Sequence, residues 1–249
     1  MRCAEPIQSV AKEFRVTQRD IVGLILSYLY AFGLLFVVEA VGKRLKWPQY
    51  FTRKIVHIGA GMWIWGILAL FDNRTYGLIP FATFIILNFI FYRFQIFKAM
   101  DTRDSSPGTV YFAISITVLF ALLWRTDGGV DRVAVAAAAV MAMTWGDGIA
   151  SIVGQARGKR FYEVFAHRRS WEGSGAMAVA TFVAVLGTLL FLPGSGWSAA
   201  SVTILPGKAL LMALTAALVG AAAEGVSPAG TDNLTVPLLT AAVLYLFTL

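Results

Sequence analysis

VAVAAAAVMAMTWGDGIASIVG, residues 133–154, decides the fold: it is long enough to cross roughly 30 Å of hydrocarbon as a helix, and its one charge is Asp147. Its Ala and Gly residues are of the kind that let helix backbones approach closely in lipid. Comparable apolar stretches recur along the chain. With 58% hydrophobic and 14% charged residues in 249, and a mean hydropathy of +0.70, the sequence cannot cover the surface of a water-soluble globule. The expected fold is all-α, a polytopic transmembrane helical bundle of about eight spans, seven being the alternative count. The spans are placed at 20–41, 55–70, 75–92, 107–124, 133–154, 171–192, 208–224 and 233–249. Residues 1–19 form an N-terminal tail without the apolar core of a cleavable signal peptide, and 20–249 a single transmembrane domain.

Span three, FATFIILNFIFYRF, is crowded with Phe, whereas spans five and seven are rich in small residues and are expected to be central and in contact. Spans two and three are short and joined by FDNRT, which leaves a re-entrant pair open. The formal charge of +7 resides in short connectors, not along a soluble face with aromatic interleaving, so it speaks for topology and against nucleic acid. Connectors after spans one, three and five carry Lys43, Arg44, Lys46, Arg53 and Lys54, then Arg93, Lys98 and Arg103, then Arg157, Lys159, Arg160, Arg168 and Arg169. The other side, tail included, has only Arg2, Lys12, Arg15, Arg19, Arg74, Arg125, Arg132 and Lys208, so the first set is expected to be cytoplasmic. The single cysteine, Cys3, excludes an internal disulfide.

Ionisable side chains should avoid such spans, because each costs at least a few kcal/mol at the bilayer centre. Asp147, Glu224, His57, Asp232, Asn233 and Glu39 nevertheless fall in or at the ends of spans, all in the half expected to be cytoplasmic. A reaction at the membrane surface would collect polar groups there, where a water-soluble substrate meets a lipid headgroup. Asp147, Ala150, Ser151 and Gly154 follow i, i+3, i+4, i+7 spacing and share one helix stripe. That stripe serves either helix packing or reception of a nucleotide with Mg²⁺, which carboxylates and phosphate oxygens hold together.

The connector GQARGKRFYEVFAHRRSWEGS runs into span six. A helix N-terminus at Ser170, Gly173 and Ser174 offers free N–H groups to an anion, and Lys159, Arg160, Arg168 and Arg169 add countercharge. Equally, Ser170 can be an N-cap and the cations topogenic. No P-loop and no protein-kinase signature is present. In RKIVHIGAG, Arg53 and His57 lie one turn apart: Arg53 and Lys54 can neutralise phosphates while His57 positions a hydroxyl or its proton, or all three anchor the interface. Asp232 either caps span eight or joins Asp147 as a metal ligand, and Glu224 and Asn233 are candidates for substrate contact. Phe81, Phe84, Phe89, Phe91, Tyr111 and Phe112 of spans three and four are expected to line an apolar slot beside Asp147.

Together, GDGIASIVG, RRSWEGS, RKIVHIGAG, GTVYFAISI and TDNLTVPL resemble the phytol kinase branch of the CTP-dependent polyprenol and dolichol kinase family, from about Gln49 to Val243. The resemblance implies that residues 20–249 are a catalytic domain that moves the γ-phosphate of CTP to phytol or a related isoprenoid alcohol drawn from membrane lipid. The product would be phytyl phosphate, on the way to tocopherol and related prenylquinones. It implies that Asp147, Ala150, Gly154, Ser170, Gly173 and Ser174 are the nucleotide-binding pattern and Arg53 and Lys54 the family's Arg-Lys pair. The family usually has Lys where this chain has Arg169, a planar fork in place of a point charge. A diacylglycerol or dolichol kinase of the same family, and a membrane transporter, are the alternatives; the transporter lacks the expected two-half symmetry.

Overall fold

The computed structural model describes residues 16–97, 106–126, 130–165, 167–198, 202–228 and 230–249. Most of the expected tail, with Cys3, and the basic residues Lys98 and Arg103 lie outside them. The described residues form eight helical rods and one short hairpin: α1 (Gln18–Leu45), α2 (Gln49–Leu70), α3 (Arg74–Phe94), α4 (Gly108–Leu123), a composite rod, α7 (Trp171–Phe191), α8 (Pro206–Val226) and α9 (Asp232–Leu246). The composite rod joins α5 (Val133–Met141) through a π-helical stretch, Ala142–Asp147, to α6 (Gly148–Arg157). Between it and α7, β1 (Phe161–Val164) pairs antiparallel with β2 (His167–Ser170), Phe161 opposite Ser170.

Local chemistry sets the boundaries. Thr17 and Asp20 form a reciprocal capping box at the start of α1, Asn73 caps α3 through the Thr75 amide, Ser170 caps α7 through that of Gly173, and Pro206 sits in the first turn of α8. The rod around the quoted sequence is the core: 89% of its most apolar stretch is buried, against 22% for α1, and Ala136 to Ala139 have no exposed surface. Large apolar side chains elsewhere, such as Leu29, Phe36, Ile86, Val183 and Leu218, face outward. A soluble protein would hide that surface; a bundle in lipid need not.

Five rods are long and apolar enough to cross a membrane: α1, α3, the composite rod, α7 and α8. α4 and α9 are apolar but shorter, and α2 carries Arg53, Lys54 and His57 in its first turns. One expectation needs correction. Spans two and three are not short, since α2 begins at Gln49, before its apolar run, and both helices exceed 20 residues. The expected contact of spans five and seven is present and local: α8 lies along α7 and α9 and meets the composite rod at the π stretch.

The rods alternate in direction. One end is latched by Arg19–Asp72 at 3.1 Å, by Asp20 Oδ1 accepting from the Asp72 amide at 3.0 Å, and by Ser198 donating to Asp131 Oδ2 at 3.1 Å. The opposite end, with the Lys- and Arg-rich connectors, holds the intramembrane polar groups.

Candidate functional site

The π stretch does the local positioning. Widening the helix just before Gly148 resets its phase, and such bulges recur at functional sites. It brings the Met143 carbonyl to His57, whose Nε2–H donates to it at 3.2 Å, and turns Asp147 toward α2. Lys54 Nζ donates to Asp147 Oδ2 at 2.6 Å, and His57 Nε2 lies 3.5 Å from the same oxygen. The His57 ring meets Phe112 edge-on, with centroids 4.5 Å apart.

A second ion cluster stands beside the first. The hairpin carries Arg169 inward, where one guanidinium nitrogen lies 2.7 Å from Glu224 and another 3.2 Å from Asp232, also donating to the Ser227 carbonyl at 3.3 Å. Burial works against the charge on Arg169, but the Glu224 and Asp232 carboxylates outweigh it and hold the guanidinium above its ordinary pKa. Asp232 Oδ1 accepts from the amide and the side-chain nitrogen of Asn233 at 2.9 and 3.0 Å. Asn233 Oδ1, in contrast, is buried without a hydrogen-bond partner among the described residues.

Two cavities of opposite character meet here. One is an apolar groove of about 120 Å³ between the α1–α2 and α3–α4 pairs. Phe81, Phe84, Phe112 and Trp63 are among its walls, and Arg53, Lys54, His57 and Asn233 stand at its polar end. The other is a polar cavity of about 380 Å³ lined by Ser151, Gln155, His167, Arg168, Arg169 and Asp232 among others. Arg53, Lys54 and Asn233 belong to both walls. Gly108 permits the convergence, since a Cβ there would stand 3.1 Å from both the Arg53 guanidinium and the Asn233 amide nitrogen.

The remaining sequence candidates divide between cavity and packing. Ser151 lines the polar cavity. Ala150 and Gly154 pack against the first turn of α7: a Cβ on Gly173 would come within 3.1 Å of the Ala150 carbonyl and 3.3 Å of Gly154 Cα. Ser170 Oγ accepts from the Gly173 amide at 3.1 Å, and Ser174 Oγ shares a 2.6 Å hydrogen bond with the Tyr162 hydroxyl. The Lys159 amide donates to Glu172 at 3.1 Å, folding the loop onto α7. Of the aromatics expected in the slot, Phe89 faces outward and Phe91 packs behind the groove wall with Leu35, Val38, Val56 and Phe97. Gln49, Tyr50, Gln155 and His167 were not singled out from sequence. Gln49 and Tyr50 lie four residues before Arg53 and Lys54, the helical spacing that could have found them.

Any metal here must suit hard carboxylate oxygens. Among the described residues no group of three or more His, Cys, Asp or Glu is placed to hold one by protein ligands alone. Mg²⁺ does not require such a cage, because one or two carboxylates with phosphate oxygens and water suffice. Asp232, on the polar cavity wall, and Asp147, behind Lys54, fit that donor set.

No family model and no solved structure matches the chain. It is 33% identical over 226 residues to a phytol kinase of Synechocystis sp., covering 89% of each chain. It is 32% identical to the probable phytol kinase 2, chloroplastic, of Oryza sativa subsp. japonica, over 84% of this chain and 69% of that one. It is also 27% identical to the farnesol kinase, chloroplastic, of Arabidopsis thaliana, over 89% and 73%. The chain belongs to the phytol kinase family.

Proposed function

We propose that the chain is a membrane-embedded kinase that transfers the γ-phosphate of CTP to the hydroxyl of phytol or a related isoprenoid alcohol, at the cytoplasmic face, supplying tocopherol and prenylquinone synthesis. The observation that carries this reading is the junction at Arg53, Lys54 and Asn233, where an apolar groove opens onto a cation-lined polar cavity. A lipid alcohol and a nucleotide triphosphate need that pair of environments, with their reactive ends meeting between them.

The alcohol oxygen attacks the γ-phosphorus, the bond from that phosphorus to the bridging oxygen breaks, and CDP leaves with the bond's electrons. Arg53 and Lys54 neutralise charge on the transferring group, a water-poor setting making each cation more effective. Asn233 Oδ1 accepts a hydrogen bond from the alcohol O–H and holds it in the groove's mouth. His57, with Nε2–H committed to Met143, keeps Nδ1 as an acceptor for the proton released. Arg169 and Ser151 face the nucleotide's phosphates, while Ala150, Gly154, Gly173, Ser170, Ser174 and Lys159 support that wall. Glu224 acts on the substrate site through Arg169. Mg²⁺, held by Asp232 and Asp147, would neutralise phosphate charge.

The test uses the full chain in detergent with radiolabelled CTP or ATP and a panel of phytol, dolichol and diacylglycerol, resolved by thin-layer chromatography. Phytyl phosphate formed from CTP is the expected product. Preference for diacylglycerol, or no phosphorylated lipid with either nucleotide, would overturn the reading.

A further inference from the structure

The apolar groove has a definite length. It runs from Arg53, Lys54 and Asn233 to Ser27, Trp63, Pro80 and Ile116. Its lining residues run from Ser27 to Leu35 on α1, from Pro80 to Asn88 on α3 and from Gly108 to Ile116 on α4, each about 12 Å of helical rise, and from Arg53 to Trp63 on α2, about 15 Å. Four helices thus give similar depths.

Its floor is held in place. Trp63 stacks on Tyr30, with centroids 4.2 Å apart and planes 15° from parallel. Trp63 Nε1 donates to Ser27 Oγ at 3.0 Å, Ser27 Oγ donates to the Gly23 carbonyl at 2.7 Å, and the Tyr30 hydroxyl donates to the Gly59 carbonyl at 2.8 Å. Neither ring can swing aside without breaking a hydrogen bond in an apolar setting, where an unpaired donor is penalised. The orphaned Asn233 Oδ1 marks the other end, where a hydroxyl would be fixed.

We propose that the Trp63–Tyr30 stack is a chain-length gauge for the alcohol. Between the Asn233 amide and this floor the groove accepts roughly ten to twelve main-chain carbons, about three isoprene units, at a helical depth of about 12–15 Å. A fourth unit must leave the groove toward lipid and gains no protein contact. The inference rests on the kinase reading above and names the part of the substrate that the groove discriminates.

The experiment measures kcat/KM of the full chain with labelled CTP and the primary alcohols geraniol, farnesol and geranylgeraniol, having two, three and four isoprene units. For the unaltered protein, kcat/KM should rise at least roughly tenfold from two units to three and stay level from three to four, in keeping with what apolar pockets discriminate. Trp63→Ala should raise the four-unit to three-unit ratio by about tenfold. Ala60→Phe, one turn nearer the mouth on the groove wall, should bring the three-unit alcohol down to the two-unit level. Thermal unfolding of each variant separates these ratios from loss of folded protein, and Ile116→Ala supplies a second opening of the floor should Trp63→Ala not fold. Ratios unchanged in both the opened and the plugged variants would overturn the gauge alone. Absence of phosphorylation of every isoprenoid alcohol by the unaltered protein would overturn the kinase reading and the gauge with it.

Discussion

Lys54 Nζ donates to Asp147 Oδ2 at 2.6 Å across 93 positions of sequence, with 14% and 3% of the two side chains exposed. So sheltered a pair is neither a surface ornament nor plain evidence for stability, because desolvation offsets much of its attraction. Its removal can therefore be read in two measurements. Asp147→Asn should lower turnover more than tenfold and destabilise the bundle by about 3–5 kcal/mol, since an uncompensated ammonium is left behind. Lys54→Met combined with Asp147→Asn should recover most of that stability in thermal unfolding without recovering turnover. Turnover of Asp147→Asn above a tenth of normal at saturating Mg²⁺ would remove Asp147 from the site.

Arg169 divides its guanidinium between Glu224 and Asp232, one nitrogen to each, whereas a lysine would have to meet both from a single nitrogen. Arg169→Lys should retain intermediate activity and Arg169→Ala almost none, as measured by phosphorylation of the preferred alcohol. Adding Glu224→Gln to Arg169→Ala should restore part of the thermal stability by removing one of the two stranded carboxylates. Equal activity of Arg169→Ala and the unaltered protein would reduce the residue to a topological marker.

For Asn233, the expectation is a split between substrates. Asn233→Ala deletes the unpartnered acceptor, and a single hydrogen bond of about 0.5–1.5 kcal/mol corresponds to roughly a three- to tenfold rise in the KM for alcohol. The KM for CTP should stay within experimental error. A rise confined to CTP would place Asn233 on the nucleotide instead.

Gly173 decides between packing and phosphate binding at the start of α7. A Cβ there meets Ser170 Oγ at 3.0 Å and the Ala150 carbonyl at 3.1 Å, so Gly173→Ala should destabilise the bundle by about 1–3 kcal/mol. If the residue also supports the nucleotide wall, the KM for CTP measured on the folded fraction should rise as well. An unchanged KM with lowered stability would leave it a packing residue only.

Chelation gives the last test. EDTA should abolish phosphorylation and added Mg²⁺ restore it, and Asp232→Asn should raise the Mg²⁺ concentration needed for half-maximal rate. Activity that persists through exhaustive chelation would exclude the divalent ion.

What the sequence discloses here follows from the range of each interaction. Apolar runs and caps such as Ser170 are local, so eight apolar segments could be drawn on the helical rods, although α2 starts six residues before its apolar run, and Asp147 stood out as a charge in a hydrocarbon-length run. Pairings are not local. Nothing in RKIVHIGAG says that Lys54 will meet Asp147, and nothing in RRSWEGS says that Arg169 will bridge Glu224 and Asp232. The groove was foreshadowed by the aromatics of α3 and α4, yet Tyr30 and Trp63, whose stack fixes its floor, were not singled out on α1 and α2. The π stretch left no periodic signature, since Ala and Met suit either kind of turn.

That stretch makes Val133–Arg157 two helices of different phase spliced end to end. Side-chain changes on its buried face trade one packing arrangement for another, and many such exchanges are tolerable. A change in length is different in kind. The wider π turn absorbs one residue that an unbroken α-helix would have to take up by rotating everything after it by about 100°. Held to α-helical turns with its residue count unchanged, the segment would carry Asp147 away from Lys54 while the alanines of α5 kept their places. In this segment, therefore, it is the count of residues, more than their chemistry, that ties the anchor of the bundle to its working end.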